Sequence, residues 1–234
     1  MKTDAKGRGG RRTVGGERGA EYQRPKLGKR VAHKERTKEK ILKAALELFR
    51  KKGFESTATK EISRRAGIAE GTLFNYFRTK DDIALYFFER ETEFVIEWYQ
   101  GQKRLQKAPL EEKLFAIIQK QLEYLSTYES FIGSVILRAF QPASKLIPLS
   151  VESQYLQSRY LKFIGEIIEL DIGNQGMGLL SSFGPHMFWA FYMAVLMHWL
   201  NDHSKNKEAT LAFLDRGLKI GVAIANGRYS NGQR

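Results

Sequence analysis

From Arg36 almost to the end of the chain, apolar residues recur at intervals of three and four, and this periodicity restricts the fold more than any other feature of the sequence. Such spacing lines one face of an α-helix and does not fit the strict alternation of a half-buried strand. The first run places Ile41, Ala44, Ala45, Leu48 and Phe49 on one face, leaves Lys40, Lys43, Glu47 and Arg50 off it, and stops at Gly53. A short second helix is expected from Thr59, read as its N-cap, with Glu61 favouring the dipole of the first turn, Ile62 and Ala66 inward, and Gly67 as the stop. Residues 67–69 separate it from a helix over 70–77, where Leu73 and Phe77 face helix one and Glu70, Gly71, Thr72, Asn75 and Tyr76 point outward. Two short helices joined by a Gly-containing turn form a helix-turn-helix.

Further amphipathic runs cover 80–101, with Asp81 and Asp82 in the first turn, then a segment carrying Leu110, Leu114, Ile117, Ile118, Leu122 and Leu125, then 129–140, 149–170, 182–202 and 207–225. A Gly-rich loop is expected over 173–178, and the pattern contains no convincing strand and no internal repeat. The expected fold is all-α: an N-terminal three-helix helix-turn-helix domain over 36–80, joined to a larger helical ligand-binding and dimerisation domain over 81–226. The flanks 1–35 and 227–234 are expected to be disordered, the first as a basic arm.

Charge and composition narrow the partners. The net charge is +13, and residues 1–35 hold eleven Lys/Arg against four acids, so more than half of the excess lies in that Gly-rich arm. The arm has too few apolar residues to offset its ordering entropy, and it reads equally as a solubilising leader or as a DNA-following arm. With no cysteine in the sequence, disulfides, thiolate nucleophiles and Cys-bound zinc are excluded. No apolar run follows the basic N-terminus, so a cytoplasmic protein is expected. No HExxH, GxSxG or GxxxxGK[ST] is present, and His198 and His203, five apart, do not share a helix face as a metal pair requires. The expectation is a binding protein without metal or cofactor, not an enzyme.

The stretches ILKAALELFRKKGF and TKEISRRAGIAEGTLFNYFRTKDDI, ungapped in order from Ile41 to Ile83, resemble the DNA-binding domain of the TetR family. The resemblance implies a homodimer that dimerises through its last two helices, binds operator DNA and releases it when a small molecule enters the C-terminal domain. It carries the family's DNA contacts onto Thr59, Lys60, Glu70, Gly71, Thr72, Phe74, Asn75, Tyr76 and Lys80. Chemistry suggests backbone approach at Gly71, a phosphate or thymine methyl for Thr72, adenine or no contact for Asn75, and phosphates for Thr59, Lys60, Tyr76 and Lys80. Glu70 is repelled by phosphates and suits the helix dipole better. Two departures stand out: Ala69 replaces the usual capping Ser or Thr, and Phe74, lacking the usual Tyr hydroxyl, is expected to pack.

Residues 186–200 are apolar nearly all round, which demands burial on every side. With Gly184, Pro185, His186 and His198 interrupting, and no flanking basic cluster, a dimeric four-helix bundle is expected rather than a membrane span. Aromatic candidates for ligand contact are Trp98, Tyr99, Tyr124, Phe131, Phe140 and Tyr155. Arg138 forms a stripe with Ser134 and Gln141 and reads as a solvated face. The sequence thus points to a sequence-specific repressor, released from a palindromic operator by an unidentified hydrophobic molecule. The alternative is a nonspecific nucleic-acid-binding or architectural protein that uses its basic tail.

Overall fold

A computed structural model describes residues 28–139, 146, 151–172 and 179–225. Among these the secondary structure is helical throughout: α1 (Lys29–Lys52), α2 (Thr59–Arg65), α3 (Glu70–Phe74), α4 (Lys80–Gly101), α5 (Leu110–Ser126), α6 (Glu129–Ala139), α7 (Val151–Ile172), α8 (Leu179–Asn201) and α9 (Glu208–Ala225). The fold is all-α, with the helix-turn-helix at the N-terminal end and the larger helical part behind it. Phe140, the expected loop over 173–178, residues 1–27 and the C-terminal residues 226–234 lie outside the described residues.

Helix α1 begins at Lys29, not Arg36, so its first two turns run through residues assigned to the disordered arm. The segment KRVAHKER is almost wholly polar, and periodicity has no apolar stripe to detect there. From Ile41 onward the expected face is buried, with Ile41 and Ala45 fully enclosed and Phe49 packed between Phe54 and Phe131. The Tyr86 hydroxyl donates to Glu39 (2.8 Å), and Arg90 pairs with the same carboxylate (2.7 Å), tying α4 to α1. One continuous hydrophobic core therefore runs from the helix-turn-helix into the larger part.

The end of α4's approach loop is set by chemistry legible in four residues. Thr79 caps the helix, accepting from the Asp82 N–H (3.2 Å), while the Asp82 carboxylate accepts from the Thr79 N–H (2.8 Å). All six apolar positions expected on α5 are buried. Behind them, α7 packs against α4 and α8, and α9 closes over α5 and α8.

Candidate functional site

Helix α3 is held by its inner side. Leu73 and Phe77 are buried, and the turns that aim the helix need left-handed backbone at Gly53 (φ 89°) and Gly67 (φ 61°). Helix α2 is pinned to α1 by the ion pairs Lys52–Glu61 and Arg65–Glu47. Thr59 is not the N-cap of α2: Ala58 occupies that position, and the Glu61 carboxylate reaches back to the Ala58 N–H (3.0 Å). The Thr59 hydroxyl instead donates to Glu70 (3.3 Å), linking the N-terminal ends of α2 and α3. Ala69 stands at the N-cap of α3 with no side-chain hydrogen bond, so Glu70 is the acidic group at that end.

The outer face is built from Lys60, Gly71, Phe74 and Asn75, all exposed, with Thr59, Glu70, Thr72, Tyr76 and Lys80 half-buried beside them. A Cβ added at Gly71 would meet no atom of the chain within 4 Å, so internal packing does not demand a glycine there. Phe74 is 43% exposed, contrary to the expectation that it packs. It lies one position from Leu73, the buried residue of α3, which turns it away from the inner side. The Lys80 ammonium is directed inward. It donates to the carbonyls of Phe54 (2.8 Å) and Glu55 (3.0 Å) above the Phe54 ring, and burial lowers its pKa.

Arg138 does not belong to a solvated face. Its Nε donates to the buried Asp81 (2.6 Å), in the first turn of α4, and its guanidinium reaches Glu55 (3.4 Å). The hydrogen bond to Asp81 raises the Arg138 pKa. Helix α6 is thereby bonded to the root of the helix-turn-helix while Phe131, on the same helix, stacks on Phe49.

Val135, Ile136 and Ala139 of α6 also line a cavity of about 360 Å³ between α4, α5, α6, α7 and α8. They form one wall, Leu85 and Phe88 a second, Trp189, Tyr192 and Leu196 a third. Its polar floor is Glu91, Thr92, Gln121 and Tyr160, in which the Tyr160 hydroxyl donates to Gln121 Oε1 (2.6 Å). Glu91 is 3% exposed, and burial pushes its carboxyl up to about 7 despite hydrogen bonds from Gln121 and Thr92.

The aromatic residues expected to contact a ligand take other places. Tyr99 packs on Phe163, Tyr124 on Phe87 and Phe94, and Phe131 on Phe49 and Phe54. Trp98 lies under the Lys120 ammonium, and Tyr155 is 68% exposed. None of these five lines the cavity. The residues that do were marked in the sequence by polarity on an apolar stripe: Glu91 among Phe87, Val95 and Tyr99, and Gln121 among Ile117, Ile118 and Leu125.

Helix α8 buries Phe188, Tyr192, Val195, Leu196 and Trp199 within the chain, but Met187, Ala190, Ala194 and Met197 form an exposed stripe on its outer side. Phe213, Ile220 and Ile224 continue an exposed apolar face along α9. His198 stacks on Phe213 and shares a hydrogen bond with Thr210 (3.0 Å), a packing role between the two helices. No described helix is long and apolar enough to cross a membrane, and no three potential metal ligands cluster among the described residues.

Comparison with known proteins agrees with this architecture. Residues 41–87 match the family profile "Bacterial regulatory proteins, tetR family", and residues 113–226 match "Tetracyclin repressor-like, C-terminal domain". The chain is 31% identical over 86 residues to the fatty acid metabolism regulator protein of Bacillus subtilis (strain 168), covering 37% of this chain and 44% of that protein, under half of its length. A TetR transcriptional regulator from Nitrosomonas europaea ATCC 19718 superposes with a TM-score of 0.63 at 19% identity, covering 79% of this chain and 97% of that one. The regulator FadR from Bacillus subtilis, in complex with stearoyl-CoA, superposes with a TM-score of 0.58 at 22% identity, covering 77% and 96%. These two likenesses concern the fold.

Proposed function

Because the chain belongs to the TetR family of bacterial regulatory proteins, we propose that it is a cytoplasmic, ligand-responsive repressor that binds a palindromic operator as a homodimer. The observation that carries this reading is the outer face of α3: it offers Gly71 with open space and Asn75 exposed at its end, beside Lys60 on α2. A helix presented in this way enters a major groove, while the preceding helix crosses the backbone and fixes register. In this reading Asn75 reads a base edge and Lys60 positions a phosphate. The inward ammonium of Lys80 supports a structural task for that residue, bracing the loop after α1. No catalytic step is invoked; the protein acts by binding.

A second copy suits the exposed apolar stripes of α8 and α9, since burying them removes that area from water, and a palindromic operator asks for two recognition helices about 34 Å apart. The predominantly apolar cavity suits a hydrophobic effector, and its volume falls within the ~300–1,000 Å³ of small-molecule sites. Its occupant acts by favouring a conformation that no longer matches two successive grooves. Fluorescence anisotropy against the intergenic DNA beside the protein's own gene and against scrambled DNA, across a salt series, tests the reading. A preference of roughly a thousandfold or more is expected. Equal and steeply salt-dependent binding to both would point to nonspecific nucleic-acid binding.

A further inference from the structure

The cavity carries one buried acid whose hydrogen bonding is incomplete. Glu91 Oε1 is enclosed by protein and has no hydrogen-bond partner, although it belongs to a residue lining the cavity. A buried polar atom left unpaired is costly and calls for an explanation. The surrounding bonds give it a direction. The Tyr160 hydroxyl donates to Gln121 Oε1, which leaves the Gln121 amide N–H to donate to Glu91, and Thr92 also bonds the carboxylate. Donors therefore run toward Glu91, and its remaining oxygen is suited to accept.

The rest of the lining decides what can supply the donor. No Lys, Arg or His is among the described residues that line the cavity, so none of these offers a counter-charge to an anionic head group, which would face the acid. A cation, by contrast, meets the Glu91 carboxylate in a lining that also holds the aromatic side chains of Tyr160, Trp189 and Tyr192. Apolar side chains from α4, α6, α7 and α8 occupy most of the remainder of the wall, with the uncharged Ser153 and Gln157 of α7 among them.

We propose that the cavity recognises a lipophilic amine, whose ammonium pairs with the Glu91 carboxylate while its hydrocarbon lies against Leu85, Ile136 and Leu196. This rests on the reading of the cavity as the effector site. Bringing an ammonium to Glu91 converts an expensive buried acid into one half of a hydrogen-bonded ion pair, and that exchange provides selectivity that the apolar walls alone do not.

The test uses the full chain with three probes of equal tail length below their micelle concentrations: decylamine, 1-decanol and decanoyl-CoA. Binding is followed by tryptophan fluorescence, since Trp189 lines the cavity, and by calorimetry. Decylamine should bind roughly tenfold to a hundredfold more tightly than decanol, the range commanded by a hydrogen bond to a charged group. In Glu91→Gln, with folding checked by circular dichroism, that preference should collapse. Equal or tighter binding of decanol or decanoyl-CoA to the wild type overturns the proposal without reference to the variant, as does an amine preference that survives Glu91→Gln. Operator release, measured separately by anisotropy, tells the two readings apart. Glu91-dependent amine binding without DNA release would defeat the repressor reading and leave the ligand assignment standing, whereas release by decanoyl-CoA in place of the amine would do the reverse.

Discussion

Glu91 occupies a slot four residues from Phe87 and four from Val95, on a stripe that continues to Ile83 and Tyr99 and is otherwise buried and apolar. Its carboxyl, pushed up to about 7 by burial, titrates above its unfolded value of about 4.3. Such a group contributes stability that is fully present below the unfolded value and is lost as pH rises through the folded one. The facing tyrosines Tyr160 and Tyr192 are held well above their ordinary range, and Tyr124 is pushed up to about 12, so none of them ionises in this window. Thermal melts of wild type and Glu91→Gln between pH 5 and pH 8 should show the variant gaining relative stability as pH rises; a constant difference would mean that the carboxyl does not titrate there. At Arg138 the expected change is a loss. Arg138→Ala removes a 2.6 Å bond to the buried Asp81 and should cost about 1–3 kcal/mol in urea melts, and a neutral result would return the residue to the surface role its spacing suggests. Glu91 was visible in the sequence as a charge on an apolar stripe. Arg138 was not, because its partner lies 57 residues away and no local pattern encodes that pairing.

The short helices were legible because most of their boundaries have a cause within a few residues, although α3 ends at Phe74 and not at the expected Phe77. Gly67 with positive φ ends the α2 turn, and Leu73 and Phe77 fix the rotation of α3. Tertiary context altered the details: Glu61 closed onto Ala58 and released Thr59 to bond Glu70, and the polar first turns of α1 gave periodicity no stripe to read. The aromatic candidates failed as cavity residues because a helix face shows that a ring is buried, not whether it meets another ring or a void. Phe131 and Tyr124 meet rings. On the outer face of α2 and α3 the two exposed polar groups should separate cleanly. Lys60→Ala should weaken binding to operator and scrambled DNA alike and lower the salt slope by about 1. Asn75→Ala should cost about 1–3 kcal/mol on operator alone, with the slope unchanged. Equal losses on both DNAs for Asn75→Ala would assign it to the backbone.

For the whole molecule, charge and symmetry decide how the face meets DNA. Residues 1–27 carry eight Lys/Arg against three acids, so their deletion should make the salt dependence of binding shallower; an unchanged slope would leave the arm a solubilising leader. The stronger constraint is dimerisation. The stripe Met187, Ala190, Ala194 and Met197 on α8, with Phe213, Ile220 and Ile224 on α9, is exposed in the single chain, and a contiguous apolar face of this kind marks an interaction site. Because these side chains are not part of the chain's own core, charging them should spare the fold. The double variant Met187→Asp, Ile220→Asp should sediment as a folded monomer by circular dichroism and ultracentrifugation. Each monomer then reads one half-site without the effective concentration supplied by its partner, and affinity for the full palindrome should fall by about 10²–10⁴. A variant that remains dimeric would place the interface elsewhere on the surface. A monomer that keeps full affinity would show that one recognition helix suffices, and with it the release mechanism, which depends on the spacing of two such helices, would fail.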